Sequence, residues 1–157
     1  MREIQLTRGK VAIVDDEDYD ELSKFSWFCS SNGYVGRNNS TVGGKPVPKQ
    51  TLMHMQIIGN LEGFQIDHIN RNKLDNRRCN LRHVTHQQNM QNIAGHGASQ
   101  YKGVRWRKHC KKWQARSHYG GREHHIGYYD TEKEAAIAYN AVAAKQQGEY
   151  ACLNIVD

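Results

Sequence analysis

Long apolar runs are absent from this chain of 157 residues. No stretch approaches the roughly 20 residues a membrane-spanning helix needs. The start, Met1-Arg2-Glu3-Ile4-Gln5, lacks the apolar centre of a signal peptide. A soluble, cytoplasmic, non-secreted protein is therefore expected. Cysteine is sparse: Cys29, Cys79, Cys110 and Cys152 are widely spaced with no CxxC pair. That spacing argues against a zinc knuckle and gives no support to a disulfide framework, so reduced thiols are expected. There are only two prolines, both in a polar, glycine-containing stretch at 38–49 that reads as a loop. Apolar residues make up 38% and mean hydropathy is −0.85, too little for one large core. Two or three small units are expected, steadied by a ligand, a metal or DNA. No internal repeat is evident.

Positive charge is what the chain has. A net charge of +6 and a pI near 9.2 suggest a polyanionic partner, nucleic acid before membrane. The charge is uneven. Residues 15–21 are acidic, whereas 99–122 carry Lys102, Arg105, Arg107, Lys108, Lys111, Lys112, Arg116 and Arg122 without one acid. Tyr101, Trp106, Trp113 and Tyr119 interleave that basic run, as bases and phosphates would require; a solvated charged face is the plainer alternative.

Alternation predicts a hairpin from Ile4-Gln5-Leu6 and Val11-Ala12-Ile13-Val14, turning at Arg8-Gly9. The acids at 15–18 suit a helix start, and Tyr19, Leu22 and Phe25 fall at helical spacing. Two strands are expected near 26–29 and 33–37, and 52–58 reads as a short helix or a bent strand. Three strands are expected at 101–107, 112–119 and 123–129. A helix should follow from the capping box Thr131-Glu132-Lys133-Glu134 to Gly148. Ala94-Gly95-His96-Gly97-Ala98-Ser99 reads as a linker.

Residues 64–92 carry the chemistry. They read as a strand, Phe64 to Ile66, a long loop, a strand Leu81 to Val84, and a helix from the capping pattern Thr85-His86-Gln87-Gln88. Asp67 and His68 lie where the first strand meets the loop, Asn80 where the loop meets the second strand, and Asn89 in the helix. Hydrolysis of a phosphodiester needs an activated water and stabilised oxygens. A histidine can take the proton near neutral pH. Asp67 and Asn89 offer hard oxygen ligands that suit one magnesium or manganese ion. Asn80 can fix the loop that carries His68. Each residue alone has a plainer reading, as a surface pair or a turn asparagine. Lys73, Arg77, Arg78 and Arg82 are candidate phosphate contacts, or a solvated basic loop; Arg82 is also a candidate brace for the fold.

The joint pattern Ile66-Asp67-His68-Ile69-Asn70, Leu74-Asp75-Asn76-Arg77-Arg78-Cys79-Asn80-Leu81-Arg82, Asn89 and Asn92 resembles the HNH endonucleases. It is most similar to the phage and intron-encoded homing branch, in which asparagine replaces the last motif histidine. The resemblance implies an α+β chain with a ββα-metal nuclease core that cleaves duplex DNA through one divalent ion. His68 would be the general base, Asp67 and Asn89 the metal ligands and Asn80 the loop-fixing amide. Leu6-Thr7-Arg8-Gly9-Lys10, Val14-Asp15, Asp18 and Trp27 resemble the lead-in of that branch. His54 resembles a histidine common just before the core, for which a structural role is expected.

Residues 99–154 resemble the ethylene-response-factor (AP-two) DNA-binding domains. The resemblance rests on Tyr101-Lys102-Gly103-Val104-Arg105, Lys112-Trp113, Ile126-Gly127, Tyr129-Asp130-Thr131, Glu134-Ala135-Ala136, Ala138-Tyr139 and Asn154. It implies a three-stranded antiparallel sheet laid in the major groove and backed by a helix. Lys102, Arg105, Arg107, Lys112, Trp113 and Arg116 would face DNA, with Trp113 equally readable as core. Lys102, Cys110 and Arg116 depart from that family's usual residues, so its base preferences do not transfer. The expected layout is a lead-in at 1–50, a nuclease core at 51–93, a linker at 94–99 and a sheet domain at 100–157. The alternative reading is a catalytically inactive, sequence-specific DNA-binding regulator. Monomeric nicking and dimeric cutting of both strands are both compatible with the sequence.

Overall fold

A computed structural model describes residues 1–39, 49–95 and 99–156. Most of the expected loop at 38–49 and the middle of the expected linker therefore lie outside the described residues. The chain is mixed α+β and divides into two compact units, Met1–Thr85 and His86–Asp157. No described helix is long and apolar enough to cross a membrane.

The first unit opens with β1 (Arg2–Thr7) and β2 (Val11–Val14), an antiparallel hairpin. Its turn places Arg8 and Gly9 at φ of 70° and 76°, a geometry glycine adopts without strain and other residues at some cost. The acidic α1 (Asp16–Leu22) follows, then β3 (Trp27–Cys29), β4 (Val35–Asn38) and β5 (Gln50–Leu52). These strands form one sheet of order β2-β1-β3-β4-β5, with β3 parallel to β1. Residues 53–58, readable as helix or strand, form the helix α2 (Met53–Ile58). Ile4, Leu6, Val14, Leu22, Trp27, Val35, Met53 and Ile57 fill the core. Trp27 is fully buried because its indole N–H has a partner, the carbonyl of Leu22 at 2.8 Å. A separate hairpin, β6 (Gln65–His68) and β7 (Leu81–Val84), is joined by the long loop 69–80, which ends in a 3-10 turn at Arg78–Asn80.

The second unit begins with α3 (His86–Asn92). This helix groups with the C-terminal residues because the Gln91 carbonyl accepts from Lys102 Nζ at 2.5 Å and from Cys152 N at 3.3 Å. The division between the two units falls between Thr85 and His86. Strands β8 (Val104–Arg107), β9 (Lys112–Tyr119) and β10 (Arg122–Tyr129) form an antiparallel sheet in the order β10-β9-β8. The helix α4 (Glu132–Gln147) packs against it. Its capping box is complete: Thr131 Oγ1 accepts from Glu134 N at 3.2 Å and Thr131 N donates to Glu134 Oε2 at 3.1 Å.

The first strand starts at Val104, three residues later than alternation suggests, because Gly103 turns at φ 75°. A Cβ there would stand 2.1 Å from the Tyr139 ring, so only glycine lets the turn approach α4 so closely. Ala115, Ala135 and Ala136 are fully buried, which is why the alanine-rich face can sit close to the sheet. Two asparagines fasten the C-terminal segment. Asn154 exchanges hydrogen bonds with the Lys102 backbone at 2.7 and 3.0 Å and with Asn140 at 2.7 and 2.8 Å.

Candidate active site and basic surfaces

The β6–β7 register sets Asp67 opposite Arg82 and His68 opposite Leu81. Directly opposed residues on antiparallel strands have neighbouring side chains. Arg82 accordingly donates to Asp67 Oδ2 from Nε at 3.0 Å and from Nη2 at 2.9 Å. Both side chains are largely buried, so Arg82 here braces the carboxylate.

The loop between the strands is cross-linked by polar side chains. Asn80 Oδ1 accepts from Asn70 N at 2.9 Å, and its Nδ2 donates to the Asp75 carbonyl at 2.7 Å. The backbone adds Ile69 N to Asn80 O at 2.9 Å. Asp75, only 2% exposed, accepts from Arg77 Nε at 2.8 Å, Arg77 Nη2 at 2.7 Å and Asn70 Nδ2 at 2.8 Å. The Arg77 side-chain hydrogen bonds, above all, hold its carboxyl below the usual carboxylate range. Backbone bonds from Ile13 N to Leu74 O and from Asn76 N to Ile13 O, both 2.8 Å, fasten the loop to β2.

His68 lies within this frame, 4% exposed. Its Nε2 is 3.4 Å from Asn76 Oδ1. The Asn76 amide nitrogen donates to the Lys73 carbonyl at 3.3 Å, which turns the oxygen toward His68. An accepting oxygen calls for the proton on Nε2, an assignment made from the hydrogen-bond network, and leaves the lone pair on Nδ1. Burial pushes the His68 pKa below its ordinary value. The Asn76 contact and the carboxylates of Asp67 and Asp75 oppose that shift, and Lys73 adds to it. His68 is thus neutral near pH 7, as a proton acceptor must be.

Three of the four cations around the loop have protein partners that the sequence did not reveal. Arg77 is held by Asp75. Arg78 binds Asp18 at 2.9 and 2.7 Å and Glu17 at 2.7 Å, while its backbone N–H donates to Asp15 at 2.7 Å. The acidic start of α1 therefore serves the loop as well as its own helix. Lys73 Nζ donates to the Asn32 carbonyl at 2.8 Å and sits 4.0 Å over the Tyr34 ring.

Among the described residues, no cluster of three or more His, Cys, Asp and Glu side chains could enclose a cation. The buried Asp67 carboxylate is a hard donor. It fits an ion such as magnesium, which keeps waters and phosphate oxygens in its shell, better than zinc, which needs a protein cage. Asn89 lies half-buried on α3, in the second unit, whereas Asp67, His68 and Asn80 lie in the first.

In the second unit, pairing of Val104 with Ala115 and of Trp106 with Trp113 puts these four side chains on one face of the sheet. Trp113 packs against the α4-side core, 5.2 Å from the Trp106 ring. The alternate positions Arg105, Arg107, Lys112, Gln114 and Arg116 share the opposite face. Arg105 is exposed. Arg107 Nε donates to Gln114 at 2.6 Å, Lys112 pairs with Asp130 at 3.0 Å, and Arg116 pairs with Glu123. Lys102 is not on this strip and reaches α3.

Tyr34 and Asp75 carry no functional signal of their own in the sequence, and asparagines such as Asn76 ordinarily serve turns. Asp75 and Asn76 lie inside the stretch that looked distinctive, but nothing in their spacing shows that they face inward. Burial was the missing signal.

A family model described as HNH endonuclease matches residues 47–91. An uncharacterized HNH endonuclease of Acanthamoeba polyphaga mimivirus is 32% identical over 151 residues, covering 96% of this chain and 78% of the relative. No solved structure matches.

Proposed function

Because the chain belongs to the HNH endonuclease family, we propose that it hydrolyses phosphodiester bonds in duplex DNA with His68 as general base. The observation that carries this reading is the buried His68, whose Nε2 faces Asn76 Oδ1, on a hairpin whose loop Asn80 pins. His68 Nδ1 takes a proton from a water whose oxygen attacks phosphorus. The new P–O bond forms as the bond to the leaving oxygen breaks, and that oxygen collects a proton from solvent. Asn80 keeps the loop, and so the imidazole, in place. Asp67 would be a ligand of one magnesium or manganese ion, the role that the resemblance to HNH endonucleases also gives Asn89. Such an ion, when bound, neutralises charge on the phosphate and the leaving oxygen.

The three-stranded sheet of the second unit holds the DNA in the manner of ethylene-response-factor domains, through Arg105, Arg107, Lys112 and Arg116. Homing into a defined site, in a virus or phage, is the biological setting this pairing of modules suits.

The test is strand-resolved cleavage of supercoiled plasmid and of a random-site library, with magnesium or manganese and with chelator. Wild-type protein should nick or cut only with the ion. His68→Ala should abolish cutting while DNA affinity stays within about twofold, since the sheet and not the base supplies binding energy. Affinity should fall steeply with salt, as phosphate contacts require. Cutting by His68→Ala at the wild-type rate would remove the assigned base.

A further inference from the structure

His68 packs against two aromatic rings. His54 on α2 and Tyr34, just before β4, close a triangle of rings with His68. Centroids are 5.2 Å apart for His54 and His68, 5.2 Å for Tyr34 and His54, and 6.0 Å for Tyr34 and His68. The His54 and His68 planes cross at 89°, an edge-to-face contact. His54 is 5% exposed, and its Nδ1 has no hydrogen-bond partner among the described residues. A buried nitrogen left unpaired is destabilising, a cost that an aliphatic filler would avoid. Burial first, then the charges of His68 and Lys73, lowers the His54 pKa to about 4. It therefore stands beside the base as an uncharged ring.

We propose that His54 is a positioning residue for His68, its ring plane fixing the plane of the base's imidazole. This rests on His68 being the base. The Asn76 contact, at 3.4 Å, is long. The perpendicular ring of His54 and the tilted ring of Tyr34, at 48°, oppose rotation of the His68 ring plane. The Lys73 ammonium lies over Tyr34 and is tied to Asn32, so the Tyr34 ring is itself clamped. Aim matters here because small displacements of a reacting group cost on the order of 100-fold in rate.

The experiment compares the full chain carrying His54→Leu, which fills the volume without a plane, with His54→Phe, which keeps a plane without nitrogens. His54→Leu should lower kcat about 10- to 100-fold, with KM for plasmid DNA little changed. His54→Phe should restore most of the rate. In parallel, long-range proton–nitrogen spectra of nitrogen-labelled histidines report the His68 tautomer without any cleavage. Wild type and His54→Phe should show the proton fixed on Nε2, and His54→Leu a mixture. Wild-type kcat in His54→Leu, a His54→Phe variant as slow as His54→Leu, or identical His68 spectra in all three chains would each overturn the proposal. Failure of the nuclease reading looks different: wild-type protein would not cut, while the spectra would still separate Leu from Phe.

Discussion

Acid should weaken this protein before its carboxylates titrate, and His54 is the reason. Its pKa falls from 6.5 to about 4 on folding, chiefly because burial penalises the imidazolium. Between those values the unfolded chain binds the proton and the folded chain does not. Stability therefore rises with pH across the window and is lost as pH falls from 6.5 toward 4, with no further loss below. Linkage gives a loss of about 1.4 kcal/mol by pH 5.5 and about 2.5 kcal/mol by pH 4.5. The lowered pKa of His68 acts in the same direction, so wild-type protein alone cannot isolate the effect. The comparison is with His54→Phe, which removes this titration and leaves His68 in place. Urea unfolding at pH 7.5, 5.5 and 4.5 measures both. The wild type should lose stability relative to the variant by about those amounts. The variant should also gain at neutral pH, because the unpaired Nδ1 is gone. Parallel pH profiles for the two proteins between 7.5 and 4.5 would refute the reasoning, since they would mean that His54 is either solvated or charged in the folded state.

Two further substitutions test the frame around the site and the fold of the second unit. Asn80→Ala removes two hydrogen bonds inside the loop and should cost about 2–3 kcal/mol in denaturant unfolding, with faster amide exchange across 69–80; unchanged exchange there would mean the amide does not fix the loop. Gly103→Ala puts a Cβ within 2.1 Å of the Tyr139 ring at a φ of 75° and should destabilise the chain by about 3 kcal/mol or more, read as the loss of tyrosine near-ultraviolet dichroism at lower temperature; an unshifted melt would mean the turn relaxes freely.

Local signals in the sequence went far, and they failed where contacts are distant. The hairpin at Arg8-Gly9, the capping box at Thr131 and the three strands of the second unit are each set within a few residues, by alternation, a turn or a cap. The start of β8 was misplaced because Gly103 is constrained by Tyr139, a residue 36 positions away in a different element. The basic loop residues show the same limit with larger consequence. Lys73, Arg77, Arg78 and Arg82 read as cations awaiting phosphate, yet Arg78 is matched by acids about 60 residues upstream and Arg82 by the carboxylate across the ladder. Charge counts treat every arginine alike, whereas an arginine already bonded to a carboxylate must give up that partner to bind DNA. The strip on β8 and β9 differs in degree. Arg105 is exposed, and the Lys112 and Arg116 pairs are themselves partly exposed, so exchange of Asp130 or Glu123 for a phosphate costs little there. Under the proposed function, phosphate contact therefore falls mainly to the strip of the second unit, whereas Arg77, Arg78 and Arg82 of the first already have carboxylate partners.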